Sequence, residues 1–328
     1  MPDSDIAQRL PRLRQRAQIL IALRQFFASR DFVEVDTPVA IRAPAPERYV
    51  EAPAVHLNIP SGRQTRFLQT SPELSMKRLV AAGLPRIYQL AVVFRDGDLS
   101  PQHRPEFRLL EWYRAHSPWT SLLDDCEALL WTCAQAAGAA RPALAPPYPR
   151  LSVEEAWQRW TGRSLLAHLE YDELRRQVLA LGLRPADDDS WDDLFHRVWL
   201  ARIEPQLARL ERPIFITDFP APLASLAQLN PADPRRAERF ELYAGGLELA
   251  NGFGELTCPV TQRQRFVAER AARAAAGRCD YPLDEGFLLA LEELPPTAGI
   301  ALGFDRLLML LLEADDIDDI AWIPWNNL

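Results

Sequence analysis

The stretch Phe94–His116, FRDGDLSPQHRPEFRLLEWYRAH, crowds arginines, a histidine, acids and large aromatics into one segment. On an extended chain alternate residues share a face. Phe107, Leu109, Glu111 and Tyr113 then point one way, and Arg108, Leu110, Trp112 and Arg114 the other. Arg95 ends the preceding run, and the loop DGDLSPQHRP between the two runs offers His103 and Arg104. A guanidinium holds a carboxylate or phosphate through paired hydrogen bonds. Phe107 offers a face to a purine and Glu111 a counter-charge to an ammonium, so one wall can carry a nucleotide and an amine side by side. An ordinary hairpin with a salt-bridged exposed face uses the same residues, so this stretch does not decide alone.

Two distant segments shift the balance. ELANGFGEL puts Asn251, Phe253 and Glu255 on one strand face, and Glu241 and Glu248 lie either side of a Gly-Gly turn. Folded as a hairpin, the turn brings these two carboxylates together, and such a pair suits Mg²⁺ beside phosphate oxygens. GIALGFDR places small residues on a strand and Arg306 where a helix begins. Glycines there let a ligand approach the backbone closely.

These residues need elements to hold them. Residues 5–29 repeat apolar side chains at helical spacing, with Pro11 expected to mark a break or first turn. FVEVDTPV alternates as a strand up to Pro38, and a proline-rich loop covers 42–53. A turn at 61–64 joins two strand-like runs. Ser71 is expected to cap a helix with Pro72 at its first position, and Gly83 to end it. IYQLAVVFR reads as a central strand with PEFRLLEWYRAH as its partner. Residues 120–138 and 260–276 read as helices, and 151–211 as a wholly helical insertion with Trp157, Trp160, Trp191 and Trp199 in its core. The tail reads as strand, helix, acidic turn, strand. Such an order favours an α+β fold, a mainly antiparallel sheet flanked by helices, in a single domain over 1–328.

Composition narrows the partners. The chain has 328 residues and a formal net charge of −8, which speaks against a broad phosphate-backbone surface. Its four cysteines, Cys126, Cys133, Cys258 and Cys279, match no zinc or disulfide spacing and read as free thiols. The N-terminal segment lacks the apolar core of a signal peptide, and LLMLLLEADD is too short to span a bilayer. A cytoplasmic protein is expected.

Taken together, FFASRDFVEVDTPV, FRDGDLSPQHRPEFRLLEWY and GIALGFDR resemble the three signature motifs of class II aminoacyl-tRNA synthetases, the lysyl subgroup most closely. TSPELSMKRLVAAG and RFELYAGGLELANGFGEL resemble further lysyl-type segments, and the likeness runs from about residue 15 to 325. Separated motifs in the right order carry more weight than a lone one. The first motif begins almost at the N-terminus, so the anticodon-binding OB domain of lysyl-tRNA synthetases is not expected. A free-standing core of this kind is similar to the elongation factor P–(R)-β-lysine ligase family, and Ala301, where lysyl synthetases usually carry glycine, agrees with it. One methyl shapes a pocket by only about 1–3 kcal/mol.

The resemblance implies a two-step ligase using ATP and Mg²⁺. It activates (R)-β-lysine or lysine as an adenylate, transfers it to a lysine of elongation factor P, forms a homodimer, and needs no stable tRNA binding. Arg95 and Arg306 are the implied catalytic residues. Arg95 meets the α-phosphate and the substrate carboxylate, Phe107 stacks the adenine, and Arg306 lies on its other side or near the γ-phosphate. His103 reaches the outer phosphates; Asp96, Gly97, Arg104, Leu249 and Gly303 complete the ATP pocket. Glu111, Tyr113 and Glu255 hold the side-chain ammonium, Ser71 and Glu73 the other amino group, and Asn251 and Ala301 the rest of the substrate. Glu241 and Glu248 coordinate Mg²⁺. Two positions depart from the family pattern: Gly97 replaces an acid that contacts adenine, and Arg104 replaces an asparagine near the phosphates. Two other readings stay open: a lysyl-type enzyme charging tRNA or another acceptor, and a catalytically silent metabolite-binding dimer.

Overall fold

A computed structural model describes residues 3–325, with side chains from residue 6, so the extreme ends of the expected 1–328 domain lie outside the described residues. In chain order the elements are α1 (Asp3–Ala28), β1 (Val33–Glu34), β2 (Ala40–Ile41), β3 (Ala54–Ile59), β4 (Gly62–Leu68), α2 (Glu73–Ala81), β5 (Arg86–Phe94), β6 (Glu106–Ala115) and α3 (Ser121–Ala136). They continue with β7 (Arg150–Ser152), α4 (Val153–Thr161), α5 (Tyr171–Ala180), α6 (Trp191–Val198), α7 (Glu204–Leu207), β8 (Ile214–Thr217), β9 (Arg239–Ala244), β10 (Leu247–Gly254), α8 (Pro259–Ala275), α9 (Glu285–Ala290), β11 (Thr297–Gly303) and α10 (Phe304–Leu312).

Eight strands form the main sheet in the order β1-β5-β6-β11-β10-β9-β8-β7, and β2-β4-β3 form a small one. The pairs within β5 to β8 are all antiparallel, while β1 with β5 and β7 with β8 are parallel. This is the expected α+β class. The alternation read in PEFRLLEWYRAH is real. Leu110 and Trp112 are fully buried in the largest core with residues of α1, α3 and α10, whereas Glu111 faces the opposite side of the sheet.

Residues 153–207 link β7 to β8 and build a core of their own around Trp157, Phe195 and Trp199. Their helix starts are legible as chemistry. Ser152 with Glu155, and Ser190 with Asp193, form capping boxes that satisfy free backbone amides at both ends of each box. Of the four tryptophans, Trp157 and Trp199 are buried in this core, as expected, and Trp160 and Trp191 are partly buried and pack against it.

Four local expectations need correction. Pro11 lies inside α1 without ending it, since a helix whose apolar face is buried by tertiary packing survives one missing hydrogen bond. Only Val33–Glu34 of FVEVDTPV is strand, because the segment pairs only along the edge of β5 and runs into Pro38. The segment 151–211 is not wholly helical: it begins in β7, and Gly162 and Gly182 interrupt it at positive φ. The last expected strand does not form: the acidic turn before it holds a short 3₁₀ turn, Ile317–Ile320, and residues 321–325 follow without strand pairing. No helix among the described residues is long and apolar enough to cross a membrane.

Candidate active site

Cross-strand register assembles the site. Glu111 of β6 pairs with Ala301 of β11, Ala301 with Asn251 of β10, and Asn251 with Glu241 of β9. One continuous row thus joins four strands that are remote in sequence. A second row runs Tyr113, Gly299, Phe253, Arg239, and Leu109 pairs with Gly303 on the other side of the first. All three rows share a face. Gly303 and Ala301 line a cavity of about 300 Å³ on this face, Gly299 lies just behind it, and the side chains around the cavity give it two chemically different ends.

One end is acidic. Ser71 Oγ accepts from the Glu73 amide at 3.0 Å and donates to Glu111 Oε1 at 2.6 Å, while the Tyr113 hydroxyl donates to Glu111 Oε2 at 2.9 Å. Ser71 therefore caps the start of α2 from one residue further out than expected. Lys77, one helical turn beyond Glu73, is buried between the carboxylates of Glu73 and Glu255, with Nζ 2.5 Å from Glu255 Oε2. Burial opposes its charge, but Glu255 and Glu73 outweigh burial and raise its pKa. Burial, with the nearby charge of Glu73, pushes Glu111 up to about 8. Burial also pushes Glu255 up to about 8, with Lys77 opposing. A Cβ on Gly299 would collide with the Glu255 carboxylate and the Tyr113 ring, so the missing side chain is what admits both. Three acids around one lysine leave an excess of acceptors, which suits an entering ammonium.

The other end is basic. The Arg95 guanidinium lies 5.2 Å from the Phe107 ring centroid, within cation–π range. Arg306 Nη1 donates to the Glu248 carbonyl at 2.8 Å, and its Nη2 meets His103 Nε2. His103 Nδ1 lies 2.8 Å from Ser100 Oγ. Burial and then the Arg306 charge lower the His103 pKa, so its neutral ring accepts from Arg306 and donates to Ser100. Glu248 is pushed up to about 7 by burial and by Glu241, with Arg306 opposing. Glu241 accepts from Arg239 Nη2 at 2.5 Å and from the Tyr243 hydroxyl at 2.7 Å.

Glu248 reaches the cavity through an irregularity. Glu248 and Asn251 are three residues apart and would face opposite sides of a regular strand. The register slips between Glu248 and Ala250, so Leu249 is a bulged extra residue that turns both side chains inward.

Of the expected site residues, Ser71, Glu73, Arg95, His103, Phe107, Glu111 and Glu248 line the cavity, as do Leu249, Asn251, Ala301, Gly303 and Arg306. Tyr113 and Glu255 act from just behind it through the contacts above, and Glu241 sits beside Glu248. Three ATP-pocket expectations change. Asp96 and Gly97 lie exposed in a turn, Gly97 with φ of 85°, and Asp98 lines the cavity in their place. Arg104 touches the wall, but all three of its nitrogens are engaged: Nε by Asp318, Nη2 by Asp316 and Nη1 by the carbonyls of Ser100 and His103. It anchors the C-terminal acidic turn, and its charge is not free for a phosphate. Lys77, Arg239 and Glu47 were not singled out from sequence; Glu73 and Lys77 at i,i+4 spacing were the one available signal.

The side chains present fit a phosphorylated ligand. Arg95 Nε and Arg239 Nε are buried donors without a partner, which phosphate or carboxylate oxygens can satisfy, and Asn251 Oδ1 is a buried acceptor without one, which a ligand hydroxyl or ammonium can satisfy. Among the described residues no group of three or more histidines, cysteines or acids is placed to hold a metal ion by itself. Glu241 and Glu248 therefore offer a partial cation site, one that phosphate oxygens must complete.

Comparison with known proteins agrees with this geometry. The family model for tRNA synthetases class II (D, K and N) matches residues 7–327. An elongation factor P–(R)-β-lysine ligase of Vibrio cholerae is 39% identical, covering 99% of this chain and 97% of its own length. The ligases so named from Haemophilus influenzae (37% identical, 99% and 97% covered) and Edwardsiella ictaluri (39%, 94% and 93%) are similarly close. The catalytic sheet, its two-ended cavity and these end-to-end matches place the chain among the class II tRNA synthetases (D, K and N), and within them it belongs to the elongation factor P–(R)-β-lysine ligase family.

Proposed function

We propose that this ATP-dependent ligase activates (R)-β-lysine, or lysine, as an aminoacyl-adenylate and transfers it to a lysine side chain of elongation factor P. The observation that carries this reading is that one cavity is lined both by arginines, Arg95 and Arg306, and by acids, Glu73 and Glu111. An amino acid with an ammonium at the far end of an alkyl chain can meet the acids, while its carboxylate reaches the nucleotide.

In the first step a carboxylate oxygen of the amino acid attacks the α-phosphorus of ATP, and pyrophosphate leaves. Arg95 and Arg306 neutralise charge developing on phosphate, and Glu111, Tyr113 and Glu255 orient the distal ammonium. Lys77 holds Glu73 and Glu255 in place. Glu248 with Glu241 would hold Mg²⁺, which supplies further neutralisation of phosphate oxygens when bound. The reaction needs no covalent enzyme intermediate. The implied homodimer would use α1 and β1, where Ile21 and Val33 are 58% and 49% exposed, and a cytoplasmic enzyme follows from an intracellular acceptor.

Intact-mass analysis of elongation factor P after incubation with enzyme, ATP and each lysine isomer tests the reading, with tRNA charging measured in parallel. The expected result is one lysyl mass added to elongation factor P, abolished by Arg306→Ala. Transfer to tRNA alone, or no pyrophosphate exchange with any lysine isomer, overturns it.

A further inference from the structure

Beside the first cavity lies a second, of about 390 Å³. Glu47, Ser225, Leu226 and Arg239 line both. The second cavity is walled by the proline-rich loop 45–50, by α6, by residues 221–226 and by α8. Pro46, Pro222, Leu223 and Phe266 give it apolar surface. Gln262 of α8 lines it with 1% of its surface exposed, and neither its amide oxygen nor its nitrogen has a partner. A buried amide left in this state marks a place where a polar ligand or backbone completes the bonding.

Glu47 stands where the two cavities meet. Its carboxylate makes no hydrogen bond or ion pair among the described residues. Its backbone, in contrast, is firmly placed. The fully buried Arg273 donates through Nη1 to the carbonyls of Glu47 and Val50, both at 2.7 Å, and through Nη2 to Glu51 at 2.7 Å. The charges facing Glu47 are Arg95 and Arg239, of opposite sign, and Glu73 of α2 and Glu269 of α8, of the same sign. Burial is the strongest influence and raises the Glu47 pKa, with Arg95 opposing. A carboxylate moved upward in this way is a better proton acceptor for an amine.

We propose that the second cavity admits the aliphatic amine of the acceptor and that Glu47 takes its proton at the junction, an inference that rests on the ligase reading above. The acceptor ammonium gives one proton to the Glu47 carboxylate. The freed lone pair attacks the adenylate carbonyl carbon, a C–N bond forms, and the C–O bond to phosphate breaks with its electrons on AMP. The remaining surplus proton leaves to solvent as the amide forms. Glu47 thus acts only in the second step, whereas Arg95 and Arg306 act in the first.

The test compares Glu47→Gln with wild type in two readouts, lysine-dependent pyrophosphate exchange and single-turnover transfer from preformed adenylate. Acceptors are elongation factor P, Nα-acetyl-lysine amide, and hydroxylamine, whose nitrogen is already unprotonated at neutral pH. The expected result is a fall of about 100-fold in transfer to both lysine acceptors relative to exchange, with hydroxylamine trapping much less affected and transfer recovering as pH is raised. Equal losses in exchange and transfer overturn the proposal and put Glu47 in the first-step pocket; equal loss with hydroxylamine, or no loss, also overturns it. Wild-type transfer to the small amine but not to elongation factor P would sink the choice of acceptor and leave the Glu47 comparison readable. Transfer to neither would sink both.

Discussion

The aromatic core of the helical segment and the charged cluster at the acidic end of the cavity are both largely buried, yet they are held together differently. In the first, Phe195 stacks against Trp157, Trp191 and Trp199 at centroid distances of 5.4, 5.8 and 5.4 Å. Such packing gains from burial directly, and none of its rings titrates near neutral pH. In the second, Lys77, Glu73, Glu111 and Glu255 are taken from water, at a cost that their mutual attraction only partly offsets. The aromatic interior contributes stability, and the charged interior gives some up for a binding geometry. Both belong to one chain, so each is a control for the other.

The contrast is tested most severely at Lys77. Lys77→Met leaves Glu73 and Glu255 without their cation, and lysine-dependent pyrophosphate exchange is expected to fall at least about 100-fold. The stability loss should be about 3–5 kcal/mol near pH 8, and smaller near about pH 6, where the carboxyls that burial has pushed up take protons instead. Denaturant unfolding at both pH values measures this; equal losses would erase the distinction between the two interiors.

Phe195→Ala probes the other side. It should cost about 3–5 kcal/mol at any pH in that range, seen as a lower denaturant midpoint, while the KM for the amino acid stays in place because the site rests on separate packing. A raised KM would show that the helical core and the cavity are one cooperative unit.

A smaller effect concerns the wild-type chain. Glu111 and Glu255 are pushed to about 8 and Glu248 to about 7, from an ordinary 4.5. The folded chain thus binds these protons more tightly than the unfolded one. Their contribution to stability is fully present below about pH 4.5 and is lost as pH rises through about 7 to 8. Depressed carboxylates such as Asp189 are already ionised in both states above about pH 5.5, and His103 and His196 shift in opposite directions. Unfolding free energy without ligand should therefore decline from about pH 6 to about pH 8, and a saturating lysine-type ligand should flatten the decline by supplying the missing positive charge. A rise over that range would contradict the burial of these acids.

The strand alternation that places Glu111 and Tyr113 opposite Leu110 and Trp112 was legible because one face of the sheet is apolar and the period is fixed. The capping serine at 71 and the two arginines were legible as residue types in motif order. The role of Arg104 was not: a guanidinium next to a phosphate site reads as a ligand until Asp316 and Asp318, more than two hundred positions away, are seen to claim it. Lys77 was hidden because lysine is so seldom buried. Glu47 was hidden in a proline-rich loop whose conformation depends on Arg273, a residue of a distant helix. In each case the deciding partner is remote in sequence, and local patterns do not report it.

The extra residue at Leu249 makes chain length part of the chemistry. Giving Leu249 a partner, by one residue inserted between Leu242 and Tyr243, would restore a regular ribbon and swing Glu248 toward the apolar side, while Asn251 and Phe253 kept their facing. The nucleotide end would lose an acid with no acid having been mutated. Homologues that differ by such an insertion in this hairpin are thus expected to handle divalent cations differently, even where every aligned side chain is the same.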